Sequence, residues 1–225
     1  MPIIAGVEEA GRGPVIGPMV MAIAVIDSKN ESQLRKIGVK DSKQLTPKRR
    51  EELFKQLMQV LQVYKFTIIP PKEIDAALNS DTSNLNWLEA DKSIELVKLA
   101  EKEFKIDEIF IDCPSSNIDS FKSYLNERLN IDPTCLVAEH KADQTYPIVS
   151  AASIIAKVIR DREIQKIQKE YQVEFGSGYT SDERTITFLK EWVKEHKTLP
   201  EFVRKSWVTV KKILEEKNQR KLDEY

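Results

Sequence analysis

Four carboxylates stand where strands would hand over to loops. Glu8 and Glu9 follow the apolar run Ile3 to Val7, Asp112 closes Ile109-Phe-Ile-Asp112, and Asp143 lies just beyond Cys135-Leu-Val-Ala138. In open α/β sheets, sites form at the carboxyl ends of strands. Acids gathered there repel one another unless divalent cations neutralise them, and an all-oxygen donor set favours Mg²⁺ or Mn²⁺. One reading of Glu8, Glu9, Asp112 and Asp143 is therefore a two-metal hydrolytic centre. The other is ordinary surface acids in a chain that holds 36 Asp and Glu, and spacing alone leaves both open.

A second group of residues suited to chemistry is Gly11-Arg-Gly-Pro-Val-Ile-Gly17. Closely spaced glycines let backbone N–H groups approach a phosphate or a sugar, and Arg12 adds a charged fork. The stretch is not a Walker A loop, because Gly17 is followed by Pro18 rather than Lys, and the chain has no Gly-x-Gly-x-x-Gly fingerprint. Taken by itself it also suits a tight structural turn between strands. His140, three residues before Asp143, and His196 read as structural histidines. Trp87, Trp192 and Trp207 sit in helical patterns and read as core or interhelical residues. Cys113 and Cys135 make no metal-ligand spacing and read as core thiols.

The elements that must position these residues alternate. Ile3–Val7 and Met19–Ile26 read as paired strands. Thr46-Pro47 is an N-cap with proline at the first helical position, followed by Leu53, Leu57 and Leu61 on one face. Val60–Ile69 reads as a third strand, Leu85–Phe104 as a long helix, Ile109–Asp112 as a fourth strand, and Asn117 opens another helix. Cys135–Ala138 is a fifth strand, and Ile148–Ile155 runs into a charged helix reaching Tyr171. Beyond Gly176-Ser-Gly-Tyr179 only helices are expected, over Asp182–Glu195 and Glu201–Lys217 with Pro200 between them. Strands alternating with helices mean an α/β class.

Composition narrows the partners less. With 41% hydrophobic and 32% charged residues the chain is far from the disordered regime. Its 35 Lys and Arg nearly balance its acids, so only the distribution of charge can point to a polyanion. Lys197 to Lys221 holds eight basic and three acidic residues, a basic arm or a solvated helix face. The longest uncharged run, Gly13 to Ile26, contains two prolines and is shorter than a membrane helix. The first residues lack a basic segment ahead of an apolar core. A cytoplasmic protein with no membrane partner is expected.

The run Gly6-Val-Glu-Glu-Ala-Gly-Arg-Gly-Pro-Val-Ile-Gly-Pro18 closely resembles the signature of archaeal ribonuclease HII, the type 2 ribonuclease H. Val39-Lys-Asp-Ser-Lys-Gln-Leu-Thr-Pro-Lys48 is similar to that family's second block. Glu139-His-Lys-Ala-Asp143 through Val149-Ser-Ala-Ala-Ser-Ile-Ile-Ala-Lys157 is similar to its third, and Gly176-Ser-Gly-Tyr-Thr-Ser-Asp182 to a fourth. The blocks occur in order across nearly the whole chain.

The resemblance implies a ribonuclease H-like fold, a mixed five-stranded sheet flanked by helices with a helical C-terminal extension. It divides the chain into a catalytic domain over 1–175, a substrate-binding extension over 176–217 and a flexible tail over 218–225. It makes Glu8, Glu9, Asp112 and Asp143 the ligands of two Mg²⁺ or Mn²⁺ ions. Gly11, Arg12 and Gly13 become the loop that reads the ribose 2′-hydroxyl, Tyr179 a ring beside the scissile ribonucleotide, and Lys43 a phosphate contact. The implied substrates are RNA–DNA hybrids and duplex DNA containing a ribonucleotide. Cleavage would leave 5′-phosphate and 3′-hydroxyl ends in ribonucleotide and primer removal, by a monomer. One position departs from the pattern: the family has Asp before Glu, whereas this chain has Glu8-Glu9. The extra methylene can displace a carboxylate in a site that demands near-octahedral geometry, so a catalytically weakened nucleic-acid-binding protein of the same fold is the alternative. Finally, Gln219-Arg-Lys-Leu-Asp-Glu-Tyr225 resembles the Gln-x-x-aliphatic-x-x-aromatic motif that binds sliding clamps, with Gln219, Leu222 and Tyr225 as its contacts.

Overall fold

Two apolar, β-branched runs build the centre of the sheet. β1 (Ile3–Ala10) pairs antiparallel with β2 (Met19–Asp27), from Ile3 opposite Asp27 to Ala10 opposite Val20. Every residue of β2 is buried, as a strand covered on both faces should be. Thr46 caps α2 (Pro47–Val60) by accepting a hydrogen bond from the Arg49 N–H, and β3 (Val63–Ile69) follows. The remaining strands, β4 (Glu108–Asp112) and β5 (Leu136–Glu139), join the other edge in parallel register. The order is β3-β2-β1-β4-β5, a mixed five-stranded sheet.

The computed structural model describes residues 1–39 and 45–223, which fall into two compact units. The first comprises Met1–Ala10, Val20–Ile68 and Leu85–Arg160. It holds most of the sheet, α1 (Glu31–Lys36), α2, α4 (Leu85–Glu101), α5 (Ile118–Leu129), the single turn α6 (Ala142–Thr145) and the start of α7 (Pro147–Tyr171). Its core packs Ile4, Val20, Ala22, Ala24 and Ile26 against Leu53, Leu57 and the apolar first half of α7. Trp87 stacks on Tyr124 between α4 and α5, at 4.6 Å between ring centroids.

The second unit comprises Gly11–Met19, Ile69–Asn84 and Asp161–Tyr225. It contains α3 (Pro71–Leu78), α8 (Glu183–Glu195) and α9 (Val208–Asp223) around a core of Val15, Ile16, Phe175, Leu189, Phe202, Val203 and Val210. The last of its three segments starts at Asp161. Helix α9 runs through Asn218 to Asp223.

Several expected boundaries move. Residues Glu201–Trp207 are not helical; α9 begins at Val208 because the backbone of 202–204 is bonded elsewhere, Gly17 N–H to the Phe202 carbonyl and Arg204 N–H to the Val15 carbonyl. Helix α4 ends at Glu101, and β3 starts only at Val63 because Val60 is still helical. Cys135 is half-buried in a 3₁₀ turn rather than in β5, while Cys113 is the core thiol expected, its pKa raised mainly by burial. The short α1 and α3 are additional to the helices expected from the sequence. Among the described residues no helix is long and apolar enough to cross a membrane.

Candidate active site

The first unit gathers carboxylates at the carboxyl ends of β1 and β4. Parallel register sets Val7 beside Ile111, which carries the next residues, Glu8 and Asp112, to neighbouring positions. Glu8, Glu9 and Asp112 each offer an oxygen, and these atoms all lie within 4.8 Å of one another. Glu8 is only 4% exposed. Close packing by α7 fixes this end of β1: a Cβ on Gly6 would come within 2.5 Å of the Ile148 carbonyl carbon and oxygen, so no larger residue fits. Three negative oxygens so close in a partly desolvated place are a hard, oxygen-only donor set, which fits Mg²⁺ or Mn²⁺.

Asp143 enters from the next connection. Lys141 adopts a left-handed backbone (φ 58°) that turns the chain from β5 into α6, and the Ala142 N–H donates to Asp112 Oδ1 at 2.6 Å. Asp143 is thus one residue from a group bonded to Asp112. It is buried, its carbonyl accepts from the Ser150 hydroxyl, and among the described residues it is not a member of the three-oxygen group. His140 has a structural bond, its Nδ1 lying 2.8 Å from the Cys113 carbonyl oxygen. Tyr146 stacks on Phe110 at 4.4 Å, and its phenol is held above the ordinary value first by a hydrogen bond to Glu139 and then by burial.

The second unit holds the glycine loop. Gly11 has φ 86°, a conformation that favours glycine. Tyr179, 41% exposed, lies over Gly13: its Cε1 would sit 3.7 Å from a Cβ placed there. Asp182 ties the Tyr179 turn to α8 by accepting from Ser177 N–H at 2.8 Å and Arg184 N–H at 3.1 Å, and its own N–H donates to the Tyr179 carbonyl. The hydrogen-bonded Arg184 guanidinium holds the Asp182 carboxyl well below the usual range.

Two residues of this loop's surroundings were not singled out by the sequence for this role. Arg204, fully buried, donates from Nε to the Gly17 carbonyl at 3.1 Å, from Nη1 to the Arg12 carbonyl at 2.7 Å and from Nη2 to the Gly11 carbonyl. Trp207 packs on the core as expected, and its Nε1–H also donates to the Gly13 carbonyl at 3.0 Å. Trp192 lies among Phe188, Phe202 and His196. Lys43 and Tyr225 lie outside the described residues, and Gln219 and Leu222 lie within α9.

Residues 5–210 match the family described as Ribonuclease HII. The chain belongs to the ribonuclease HII family. The ribonuclease HII of Pyrococcus horikoshii is 50% identical over 224 residues, covering 99% of this chain and 98% of the relative. The crystal structure of the ribonuclease H2 from Pyrococcus horikoshii OT3 superposes with a TM-score of 0.86 at 47% identity, over 95% of this chain and 98% of that one. The structure of the PCNA:RNase HII complex from Archaeoglobus fulgidus matches with a TM-score of 0.82 at 37% identity, over 93% and 96% of the two chains. As a ribonuclease HII the chain is a hydrolase of the ribonuclease H type, and its sheet, helices and C-terminal helical segment have the ribonuclease H-like architecture that the sequence resemblance implies.

Proposed function

We propose that this ribonuclease HII is an endonuclease that cleaves the RNA strand of RNA–DNA hybrids and single ribonucleotides embedded in duplex DNA, leaving 5′-phosphate and 3′-hydroxyl ends. The observation that carries the reading is the convergence of Glu8, Glu9 and Asp112 oxygens within 4.8 Å in a chain of this family. Glu8, Glu9, Asp112 and Asp143 would hold two divalent cations. When bound, such ions supply Lewis-acid activation of water and stabilisation of the departing 3′-oxygen.

The chain's own residues do the rest. The Ala142 N–H bond orients Asp112 and keeps Asp143 next in line. No serine, cysteine or histidine is required as a nucleophile, because water attacks. Backbone N–H groups of the Gly11-Arg12-Gly13 loop read the ribose 2′-hydroxyl, the group that distinguishes RNA from DNA at one sugar. Tyr179 packs on that sugar, and Lys43 contacts a phosphate. The work suited to this activity is removal of ribonucleotides and RNA primers from DNA, by a cytoplasmic monomer. Gln219, Leu222 and Tyr225 would dock on a sliding clamp, a reading supported by the related RNase HII found in complex with PCNA. The alternative of a weakened binding protein is not favoured, since a relative that shares half of these residues along its length bears the enzyme's name.

The test is duplex DNA with one ribonucleotide, incubated with Mg²⁺ or Mn²⁺ and analysed for its ends. Cleavage at the ribonucleotide to 5′-phosphate and 3′-hydroxyl, abolished by chelation, is expected. No cleavage with either ion, or equal cutting of all-DNA duplex, would overturn the reading.

A further inference from the structure

Across a trans peptide bond, the C=O of one residue and the N–H of the next point in opposite directions. The Gly11 and Arg12 carbonyls both accept from the Arg204 guanidinium, so the N–H groups of Arg12 and Gly13 are directed to the other side of the loop, next to each other. The Gly13 carbonyl accepts from Trp207 Nε1, and Pro14, next along, has no N–H. Two side chains therefore set three consecutive peptide planes, and through Gly17 a fourth carbonyl.

The setting is stiff. A fully buried guanidinium must keep its donors bonded, so turning the Gly11, Arg12 or Gly17 carbonyl away would leave a buried charged donor without that acceptor. Arg204 is itself fixed: Val203 forms an isolated antiparallel bridge with Ile16, and the Arg204 Cζ lies 4.8 Å from the Trp207 ring centroid. The next two residues are anchored as well, with the Lys205 and Ser206 N–H groups donating to the Asp75 carboxylate at 2.8 and 2.9 Å.

We propose that Arg204 and Trp207 are positioning residues for ribonucleotide specificity: by fixing the peptide planes of Gly11–Gly13, they hold the Arg12 and Gly13 N–H groups as paired donors toward the 2′-oxygen of the sugar. The inference rests on the reading of this loop as the 2′-hydroxyl reader. Neither side chain touches the nucleotide; each acts through a backbone carbonyl. A site built to bond a hydroxyl discriminates against the sugar that lacks it, provided its donors do not relax, and Arg204 with Trp207 prevents that relaxation.

The test is a double-mutant cycle between protein and substrate. Affinities of the full chain are measured in chelator, where binding is read without cleavage, for a duplex with one ribonucleotide and for the same duplex all in DNA. Trp207→Phe keeps an aromatic ring at this position, smaller than the indole, and removes the Nε1–H that bonds the Gly13 carbonyl. It is expected to shrink the preference for the ribonucleotide duplex by about threefold to tenfold, with the all-DNA affinity within about twofold of wild type. Arg204→Lys keeps the charge but replaces a planar fork with a point donor, and is expected to shrink the preference at least as much. If Arg204→Lys does not fold, Trp207→Phe decides. A Trp207→Phe protein that retains the wild-type preference would overturn the inference while leaving the loop's role standing. A wild-type protein with no preference, unaltered in Gly13→Ala, would overturn the reading of the loop and the inference together.

Discussion

The carboxylate at position 8 comes from a strand with no slack, because α7 presses on Gly6 two residues earlier and Glu8 is itself almost wholly buried. A carboxylate so confined, in the ligand role proposed for it, cannot easily absorb an extra methylene, so Glu8→Asp is expected to raise the Mg²⁺-supported cleavage rate, by about twofold to tenfold, in single-turnover assays. A fall in rate would show that the surrounding shell has adapted to glutamate. Asp112 and Asp143 share one short connection through the Ala142 N–H. Changing either to Asn keeps its shape and removes its charge. Cleavage should fall by more than the roughly 100-fold that loss of a supporting partner costs a metal site, while duplex binding, measured by anisotropy, survives. Near-normal cleavage in both variants would refute the carboxylate assignment.

At the scale of elements, the site depends on α7 lying hard against β1. Gly6→Ala places a methyl 2.5 Å from the Ile148 carbonyl, backbone that cannot rotate aside. Overpacking of this kind costs about 1–3 kcal/mol, and denaturant unfolding should report a loss at or above the upper end. The turn that carries Tyr179 depends in the same way on the cap of α8. Arg184 and the Ser177 N–H favour the ionised form of Asp182, so its folded pKa lies below its unfolded one. The stabilisation is therefore present above the ordinary carboxylate range, near about pH 4, and is lost as pH falls through the depressed folded value. Asp182→Asn should lower Tm at neutral pH, with the gap to wild type closing in strong acid; a gap independent of pH would show that the charge is irrelevant to the cap.

At the scale of the whole molecule, the chain leaves the first unit after Ala10, contributes Gly11–Met19 to the second and returns at Val20. The two strands that carry the centre of the sheet are thus joined by a segment whose backbone is held by residues near the other end of the chain, Gly11 and Arg204 being 193 positions apart. Helix α9 continues to Asp223 and includes Leu222. In the sequence of the proposed clamp motif Leu222 and Tyr225 stand three apart. Calorimetric titration of the sliding clamp from the same organism should give binding by the unaltered chain and at least about tenfold weaker binding by a Leu222→Ala/Tyr225→Ala variant. Equal binding, or none by either protein, would refute the motif.

Short-range physics is legible along the chain. Thr46 and Asn117 are legible as helix caps because each accepts from an N–H three residues on. The succession of strands along the chain is legible because apolar β-branched runs are themselves the signal, and Glu8, Glu9 and Asp112 are legible because they stand where those runs end. Contacts between distant segments are not. Residues 201–207 carry a helical pattern, yet their backbone bonds the glycine loop instead, since a contact between distant segments leaves no periodic trace along the chain. The same holds for Arg204 and Trp207: an arginine in a basic segment reads as a solvated charge until the fold surrounds it with carbonyls from the opposite end of the chain.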